Sequence, residues 1–176
     1  MRDFTTDRLS VRDWTPILAD PPARAALGRS LAALLTPPVM RHLPDRVQRD
    51  AADPALDRWM TDRAEAGCVF TVTTRAEDTL IGLLFVSRPD PGAAPDRPER
   101  ALGYLLAEAA WGKGFASKLV RAACAVLGES GTLCLFAAVE TDNRASSRVL
   151  EKAGFLHDPA ASEPGLDTYR LVRAAP

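Results

Sequence analysis

The chain has 176 residues, of which 47% are hydrophobic and 26% are charged, a composition typical of a globular protein and not of a disordered one. Its formal net charge of −1 argues against a broad nucleic-acid interface, and its apolar runs are too short to cross a membrane. The amino-terminal segment lacks the apolar core of a secretion signal, so we expect a cytoplasmic protein folded as one domain over residues 1–176.

The first part of the chain predicts one strand followed by helices. Alternating apolar residues over 4–14 predict a strand, and residues 17–35 contain a helical segment. Pro37 and Pro38 are expected to stop that helix, because proline cannot continue a helix interior. Residues 45–52 predict another short helix.

The next helix has signals at both of its ends. Asp53 is expected to cap it, with Pro54 at the first helical position. The helix is then expected to run to about Ala66, where Gly67 ends it.

Two strands and a proline-rich connection come next. The apolar runs 69–74 and 80–86 predict β-strands around a polar turn. Residues 87–100 contain four prolines, which exclude a helix or a central strand. This connection is either a solvated loop or a rim beside a substrate cleft.

The most informative stretch is a strand, a small-residue turn and a helix in succession. Residues 101–106 are apolar, residues 111–116 carry two glycines, and residues 117–127 have helical periodicity. The start of a helix leaves backbone N–H groups without partners and carries partial positive charge. Glycines let a phosphate approach those groups closely. We therefore interpret residues 111–116 as a cradle for a pyrophosphate.

The last part of the chain predicts a further helix between strands. Asp142 or Asn143 is expected to cap a helix that ends near Ala153, with Gly154 just after it. Around this helix lie a predicted strand at 133–140, a loop at 156–166 and a strand at 167–173. The order of all the elements predicts an α/β fold with a mixed sheet of six or seven strands.

Cysteine and histidine are too scattered to predict a metal or redox site. Cys68, Cys124 and Cys134 lack the spacing of metal ligands and lie in or beside apolar segments, so we expect free buried thiols. His42 and His157 are the only histidines and are far apart in the sequence. We therefore expect no bound metal.

Two common phosphate motifs do not fit the glycine turn. Gly112, Lys113 and Gly114 lack the Gly-Lys-Ser/Thr ending that a P-loop requires. The two glycines could begin a dinucleotide fingerprint, but its third position is Ser117. A βαβ unit with a suitably placed acidic residue does not follow, which disfavours the dinucleotide alternative.

Three segments resemble one known family, in the same order along the chain. Trp111, Gly114 and Ala116 occupy the fixed positions of a phosphate motif, Gln/Arg-x-x-Gly-x-Gly/Ala. Residues 143–155 match Asn-x-x-Ser-x-x-Val-Leu-Glu-Lys-x-Gly-Phe, and residues 5–12 are similar to a Thr-Glu-Arg-Leu-x-Leu-Arg first strand. Together they resemble the Gcn5-related N-acetyltransferase (GNAT) family, in its ribosomal-protein N-acetyltransferase branch. The resemblance implies a mostly antiparallel mixed sheet flanked by helices, with a splay between the fourth and fifth strands.

The resemblance also implies acetyl-coenzyme A as the co-substrate, bound in that splay. Backbone groups of residues 104–106 would pair with the pantetheine arm, and the turn would bind the pyrophosphate. Asn143 would contact the cofactor from the next helix, although a plain helix cap is the alternative. The cofactor-binding residues so implied are Tyr104, Leu105, Leu106, Trp111, Gly112, Lys113, Gly114, Phe115, Ala116, Ser117, Asn143 and Ser146.

The chain departs from the family where an acid and a base are expected. Many members carry a Glu and a Tyr at positions that are Ala138 and Leu150 here, and neither of these side chains can exchange a proton. The resemblance leaves Ser146 to protonate the departing thiolate, with a helix-surface serine as the alternative. Glu140, at a predicted strand end beside the cleft, is the candidate base, acting through water.

The function implied is direct transfer of an acetyl group from acetyl-coenzyme A to an amine. A lysine ε-amine is only about 0.1% neutral near pH 7.4, whereas an α-amine is neutral for roughly a few tenths of the population. We therefore hypothesise an N-terminal α-amine or a similarly weak small-molecule amine as acceptor. The alternatives are a non-catalytic acyl-coenzyme A sensor and an acyltransferase for a longer acyl donor. A homodimer is compatible with the family, and no membrane partner is expected.

Overall fold

The computed structural model describes residues 1–50, 52–88, 99–129, 131 and 133–173. These residues form one mixed sheet of eight strands with helices packed against both faces. Most of the proline-rich connection, residues 89–98, lies outside the described residues, so its two interpretations stay predictions.

The elements alternate along the chain in the order expected of an α/β protein. The strands are β1 (Phe4–Thr5), β2 (Leu9–Asp13), β3 (Gly67–Thr74), β4 (Leu80–Ser87), β5 (Glu99–Leu106), β6 (Leu133–Glu140), β7 (Leu156–His157) and β8 (Leu166–Arg173). The α-helices are α1 (Thr15–Ala19), α2 (Pro21–Leu34), α3 (Pro37–Met40), α4 (Asp57–Ala66), α5 (Phe115–Gly128) and α6 (Arg144–Ala153). Short 3-10 helices lie at Asp45–Val47, Glu108–Ala110 and Pro159–Ala161.

The sheet is mostly antiparallel, as predicted, with one parallel pair. The strand order is β1-β2-β3-β4-β5-β6-β8-β7. The parallel pair is β5 and β6, which share a register only between residues 99–101 and residues 134–136. Further along, β5 stays paired with β4 while β6 stays paired with β8. Beyond residue 101, β5 and β6 therefore share no register, and the predicted splay between the fourth and fifth strands stays a prediction.

A hydrophobic core lies on each face of the sheet, because successive strand residues point to opposite sides. One core packs the sheet against α5 and α6 and includes Leu102 of β5 and Leu135 of β6. The other packs it against the helices that precede β3 and includes Trp59, Leu83 and Leu105. A cleft between β5 and β6 is thus bordered by two layers, the layer of α5 and α6 on one face and the helices that precede β3 on the other.

The chain begins with two strands where one was predicted over residues 4–14. Thr6 turns the chain between them: its N–H donates to the Leu9 carbonyl at 2.8 Å, and its Oγ1 accepts the Leu9 N–H at 2.9 Å. The hydroxyl satisfies the backbone locally, so the polar turn interrupts a pattern that alternation alone made continuous.

Prolines begin helices in this chain rather than only ending them. The helical segment predicted in residues 17–35 divides at Asp20, where two prolines begin α2. The helix before Pro37 ends at Leu34, as predicted, and Pro37 in turn begins α3. A proline is tolerated in the first turn because its missing N–H would have no intrahelical partner there.

The next two helices are shorter than predicted. Only a 3-10 helix forms within residues 45–52, and α4 begins at Asp57, four residues after the predicted cap. Asp53 nevertheless satisfies the start of α4, since its carboxylate accepts the N–H groups of Asp57 at 3.1 Å and Trp59 at 3.0 Å. Gly67 follows the helix as predicted.

The carboxyl-terminal elements lie where they were predicted, with one addition. Asn143 is the N-cap of α6, and Gly154 is its left-handed C-cap with φ of 95°. Within the predicted loop at 156–166, two residues form β7 and pair with β8. The sheet has eight strands instead of six or seven. The strands β1 and β7 are too short to show a detectable alternation of apolar and polar residues in the sequence.

Candidate functional site

A cavity of about 810 Å³ lies where β5 and β6 separate. Its walls include Leu102 to Leu106 of β5 and Phe136 to Val139 of β6. This volume falls in the range that binds cofactors and small molecules. All the predicted cofactor-binding residues except Lys113 line it.

One end of the cavity is the glycine turn that precedes α5. Gly112 and Gly114 have φ of 70° and 76°, a left-handed conformation that favours glycine over residues with a Cβ. Gly114 is the N-cap of α5 and offers no side chain to the first turn of the helix. The first N–H groups of a 14-residue helix therefore face a space that an anion can enter.

Arg8 contacts the backbone and a side chain of this turn, a role that the sequence did not predict. Its Nη2 donates to the Lys113 carbonyl at 2.9 Å, and its guanidinium lies 4.5 Å from the centre of the Phe115 ring. The contact fixes the backbone between the two glycines and brings a positive charge beside the turn. The Lys113 side chain is not among the cavity residues, so its predicted phosphate contact stays a prediction.

Trp111 joins the turn to the end of β5. Its indole Nε1 donates to the Leu106 carbonyl at 2.8 Å, while 49% of the residue stays exposed at the cavity mouth. The indole N–H thus satisfies a carbonyl at the point where β5 ends. Trp111 therefore lies at the edge of the cavity and not in the core, where a half-exposed side chain is not found.

A pair of hydroxyls crosses the cavity from β5 to α6. The Tyr104 hydroxyl lies 3.1 Å from Ser146 Oγ. Burial raises the pKa of Tyr104 above its ordinary value, and the hydrogen bond to Ser146 offsets part of that shift. The phenol therefore stays protonated at neutral pH and can supply a proton. Sequence reasoning assigned Tyr104 only a backbone role.

Asn143 acts as a helix cap in the structure. Its Oδ1 accepts the Ser146 N–H at 3.1 Å, which satisfies one of the free donors at the start of α6. The side-chain amide still has two N–H donors for a ligand, and the residue lines the cavity. Both expectations for Asn143 can therefore hold together.

The two positions that lack the usual acid and base have different surroundings. Both residues line the cavity, but Leu150 is buried in the core, whereas Ala138 is exposed. Phe136, Ala138 and Glu140 share one face of β6 because side chains alternate along a strand. Glu140 is thus a carboxylate on the same side of the strand as Ala138, one alternation further along.

The carboxylate of Glu140 is hydrogen-bonded to a histidine. His42 Nδ1 lies 2.7 Å from Glu140 Oε2 and 3.5 Å from Asp142 Oδ1. His42 lines the cavity, while Glu140 lies behind it. The sequence offered no spacing signal for this contact, because the two residues are 98 positions apart.

Metal and thiol chemistry find little support in the described residues. His42, Glu140 and Asp142 are the one described group with ligand atoms within 4.8 Å of one another, and their mutual hydrogen bonding accounts for that proximity, so we assign no metal to it. All three cysteines are free. Burial raises the pKa of Cys124 to about 11, which keeps that thiol protonated. Cys68 is only half-buried, contrary to the prediction, because it lines the cavity.

None of the helices in the described ranges combines the length and the apolar character needed to cross a lipid bilayer.

A family model described as "Acetyltransferase (GNAT) domain" matches residues 17–156 of the chain. No match was found among curated proteins. The family match spans the cavity, the glycine turn and α6.

Solved structures similar to this fold share little sequence with it. An acetyltransferase of the GNAT family from Bacillus anthracis has a TM-score of 0.71 at 15% identity, covering 98% of both chains. The ribosomal-protein-S5-alanine acetyltransferase of Vibrio fischeri has a TM-score of 0.65 at 17% identity, covering 99% of this chain and 97% of that one. Spermidine N-acetyltransferase from Vibrio cholerae, in complex with CoA and spermine, has a TM-score of 0.68 at 16% identity, covering 97% of both chains.

Proposed function

This chain belongs to the GNAT acetyltransferase family, and from that premise we propose that it transfers an acetyl group from acetyl-coenzyme A directly to an amine. The observation that carries the proposal is the cavity between β5 and β6, which ends at the glycine turn before α5. One end of this cavity suits a pyrophosphate, and the other presents groups that can move protons.

The donor is proposed to lie along β5, with its phosphates at the turn. From residue 102 onward, β5 pairs with β4 on one side and leaves its other backbone edge toward the cavity. An extended pantetheine arm with two amides can pair with such an edge as an added strand does. Gly112, Gly114 and the first turn of α5 then meet the pyrophosphate.

The transfer itself needs a nucleophilic amine and an acid for the leaving thiolate. The amine nitrogen attacks the thioester carbonyl, a C–N bond forms, and the C–S bond breaks. We assign the proton for the departing sulfur to Ser146, which Tyr104 reprotonates through their 3.1 Å hydrogen bond. The nitrogen loses one N–H proton to a base, and the products are an N-acetyl amide and the free thiol of coenzyme A.

The acceptor class stays the weakly basic amine predicted from the sequence. Two of the similar enzymes act, by their names, on a ribosomal-protein alanine and on spermidine, so a protein N-terminus and a small-molecule amine are both candidates. A steady-state comparison of matched α-amines and lysine ε-amines tests the hypothesis. A clear preference for the ε-amine would contradict it.

The experiment that tests the function follows thiol release from acetyl-coenzyme A across a panel of amines, with mass spectrometry of the acylated product. We expect thiol release that depends on the amine and a product heavier by one acetyl group. Coenzyme A binding without turnover across the panel would instead support the non-catalytic sensor, for which Ala138 and Leu150 are the observations in favour. Competition between acetyl and longer acyl donors separates the third alternative.

We further propose that the chain acts in the cytoplasm as a single domain over residues 1–176. Three free cysteines support a reducing compartment. A homodimer, also proposed, is tested by light scattering at several protein concentrations.

A further inference from the structure

The two sides of the cavity face different layers of the protein, and this separates donor from acceptor. Tyr104 points toward the layer of α5 and α6, where it meets Ser146. The face of β6 that carries Ala138 and Glu140 points the other way, toward the layer of the amino-terminal helices. If the donor lies against α5 and α6, the amine must reach the thioester from this second side.

His42 is placed on that second side. It follows α3, and residues 38–39 and 41–44 of the same segment line the cavity with it. Only 27% of its side chain is exposed, so the ring is held against the cavity wall and not free in solvent. The ring is therefore available to an amine bound on this side of the cavity.

The contact with Glu140 decides which ring nitrogen is available. An ionised carboxylate can only accept a hydrogen bond, so the 2.7 Å contact places the proton of a neutral imidazole on Nδ1. The lone pair is then on Nε2, and no described residue donates a hydrogen bond to Nε2. The ring is therefore oriented as a base by a carboxylate behind it, as in other histidine-carboxylate pairs.

We propose that His42 is the general base of the acetyl transfer and that Glu140 is its positioning residue. The inference rests on the proposed acetyl transfer, and it replaces the earlier candidate, in which Glu140 itself acted through water. As the amine attacks the thioester carbon, its N–H proton passes to Nε2, and the imidazolium is stabilised by Glu140. The C–S bond then breaks and the sulfur takes its proton from Ser146, so one proton is gained and one lost by the protein.

The charge around the ring favours this assignment. The nearest charged groups are the carboxylates of Glu140 and Asp142, which stabilise an imidazolium. Four cations also line the cavity, namely Arg41, Arg63, Arg148 and Lys152. Arg41 is paired with Asp142 at 3.5 Å, so its charge is partly balanced beside the ring.

The test compares His42→Gln with His157→Gln, which removes the only other histidine. His157 lies on β7 beside Asp167 and Tyr169, away from the cavity lining, so it controls for the loss of an imidazole as such. We expect His42→Gln to lower kcat about 100-fold or more, the usual contribution of a general base, without changing coenzyme A affinity. We expect His157→Gln to stay near the wild type.

Three further measurements distinguish a base from a structural residue. The deficit of His42→Gln should shrink as the pH rises above the pKa of the acceptor amine, because most of the amine is then already neutral. Added imidazole should restore part of the activity of His42→Ala. In Glu140→Gln, the ¹⁵N spectrum should show His42 losing its single Nδ1–H tautomer, since an amide can donate as well as accept.

The outcomes are separable from those of the proposed function. If the wild type releases thiol and His42→Gln does so within about threefold of it at every pH, the assignment of the base is wrong while the acetyl transfer stands. If the wild type binds coenzyme A and acetylates no amine, both proposals are overturned. Unchanged coenzyme A affinity in the variants shows that they are folded.

Discussion

Gly82 should be intolerant of even one methyl group, because it lies directly beneath the part of β5 that borders the cavity. A Cβ at this position would overlap the carbonyl oxygen of Leu105 and would lie 2.5 Å from Cδ2 of Leu106. The side chain of Leu106 can rotate, but the Leu105 carbonyl can move only if β5 moves. Overpacking typically costs about 1–3 kcal/mol, and the backbone overlap places Gly82→Ala near about 3 kcal/mol.

Thermal unfolding measures this cost. For a domain of this size, 1 kcal/mol corresponds to about 2–4 °C, so Gly82→Ala should lower Tm by about 6–12 °C. Gly103→Ala is the matched control, because its Cβ would meet Phe85 at an ordinary 3.9 Å, and we expect a change within about 2 °C. Since Gly82→Ala displaces the edge proposed to bind pantetheine, its coenzyme A affinity should also fall. Equal unfolding temperatures for the two variants would refute the steric reasoning.

Three other predictions concern the cavity itself. Tyr104→Phe should lower kcat about 100-fold with an unchanged KM for acetyl-coenzyme A, and wild-type activity should lose the contribution of this phenol only at a higher pH than an ordinary tyrosine would, because its pKa is raised; steady-state pH profiles check both. Arg8→Gln should weaken coenzyme A binding about fivefold in calorimetry, since the turn loses a hydrogen bond worth about 1 kcal/mol. Iodoacetamide at pH 8 should modify Cys68 and spare Cys124, and bound coenzyme A should slow the reaction at Cys68, as peptide mass spectrometry can show.

Sequence reasoning succeeded where the physical cause is local. The turn at residues 111–116 could be identified because left-handed glycines, a helix start and a preceding strand leave their signals within a short stretch. The caps Asn143 and Gly154 were readable for the same reason. Asp53 shows the limit of this approach: it was predicted as the N-cap directly before Pro54, whereas Leu56 is the N-cap and Asp53 accepts N–H groups of the first turn from four residues before Asp57.

The sequence was uninformative where distant segments meet. The contact between His42 and Glu140 joins a segment after α3 to the end of β6, and only the folded sheet brings these together. The hydroxyl pair of Tyr104 and Ser146 is similar, since a residue on an apolar strand gave no reason to expect a polar partner on α6. Arg8 belonged to a recognised segment, yet its contact with the glycine turn depends on tertiary packing.

The brief register between β5 and β6 has a mechanical consequence. The sheet consists of a five-stranded part, β1 to β5, and a three-stranded part, β6 to β8, joined by three residue pairs. Arg170 of β8 adds an ion pair to Glu99 at this junction, so the closed end of the cleft has both strand pairing and an ion pair, while beyond residue 101 the two strands share no register. A donor bound between β5 and β6 would bridge the two parts of the sheet. At a free donor concentration [L], it would stabilise the protein by RT ln(1 + [L]/Kd). The two parts of the sheet would then be held together more firmly as more donor binds, so the unfolding temperature would measure occupancy of the cleft.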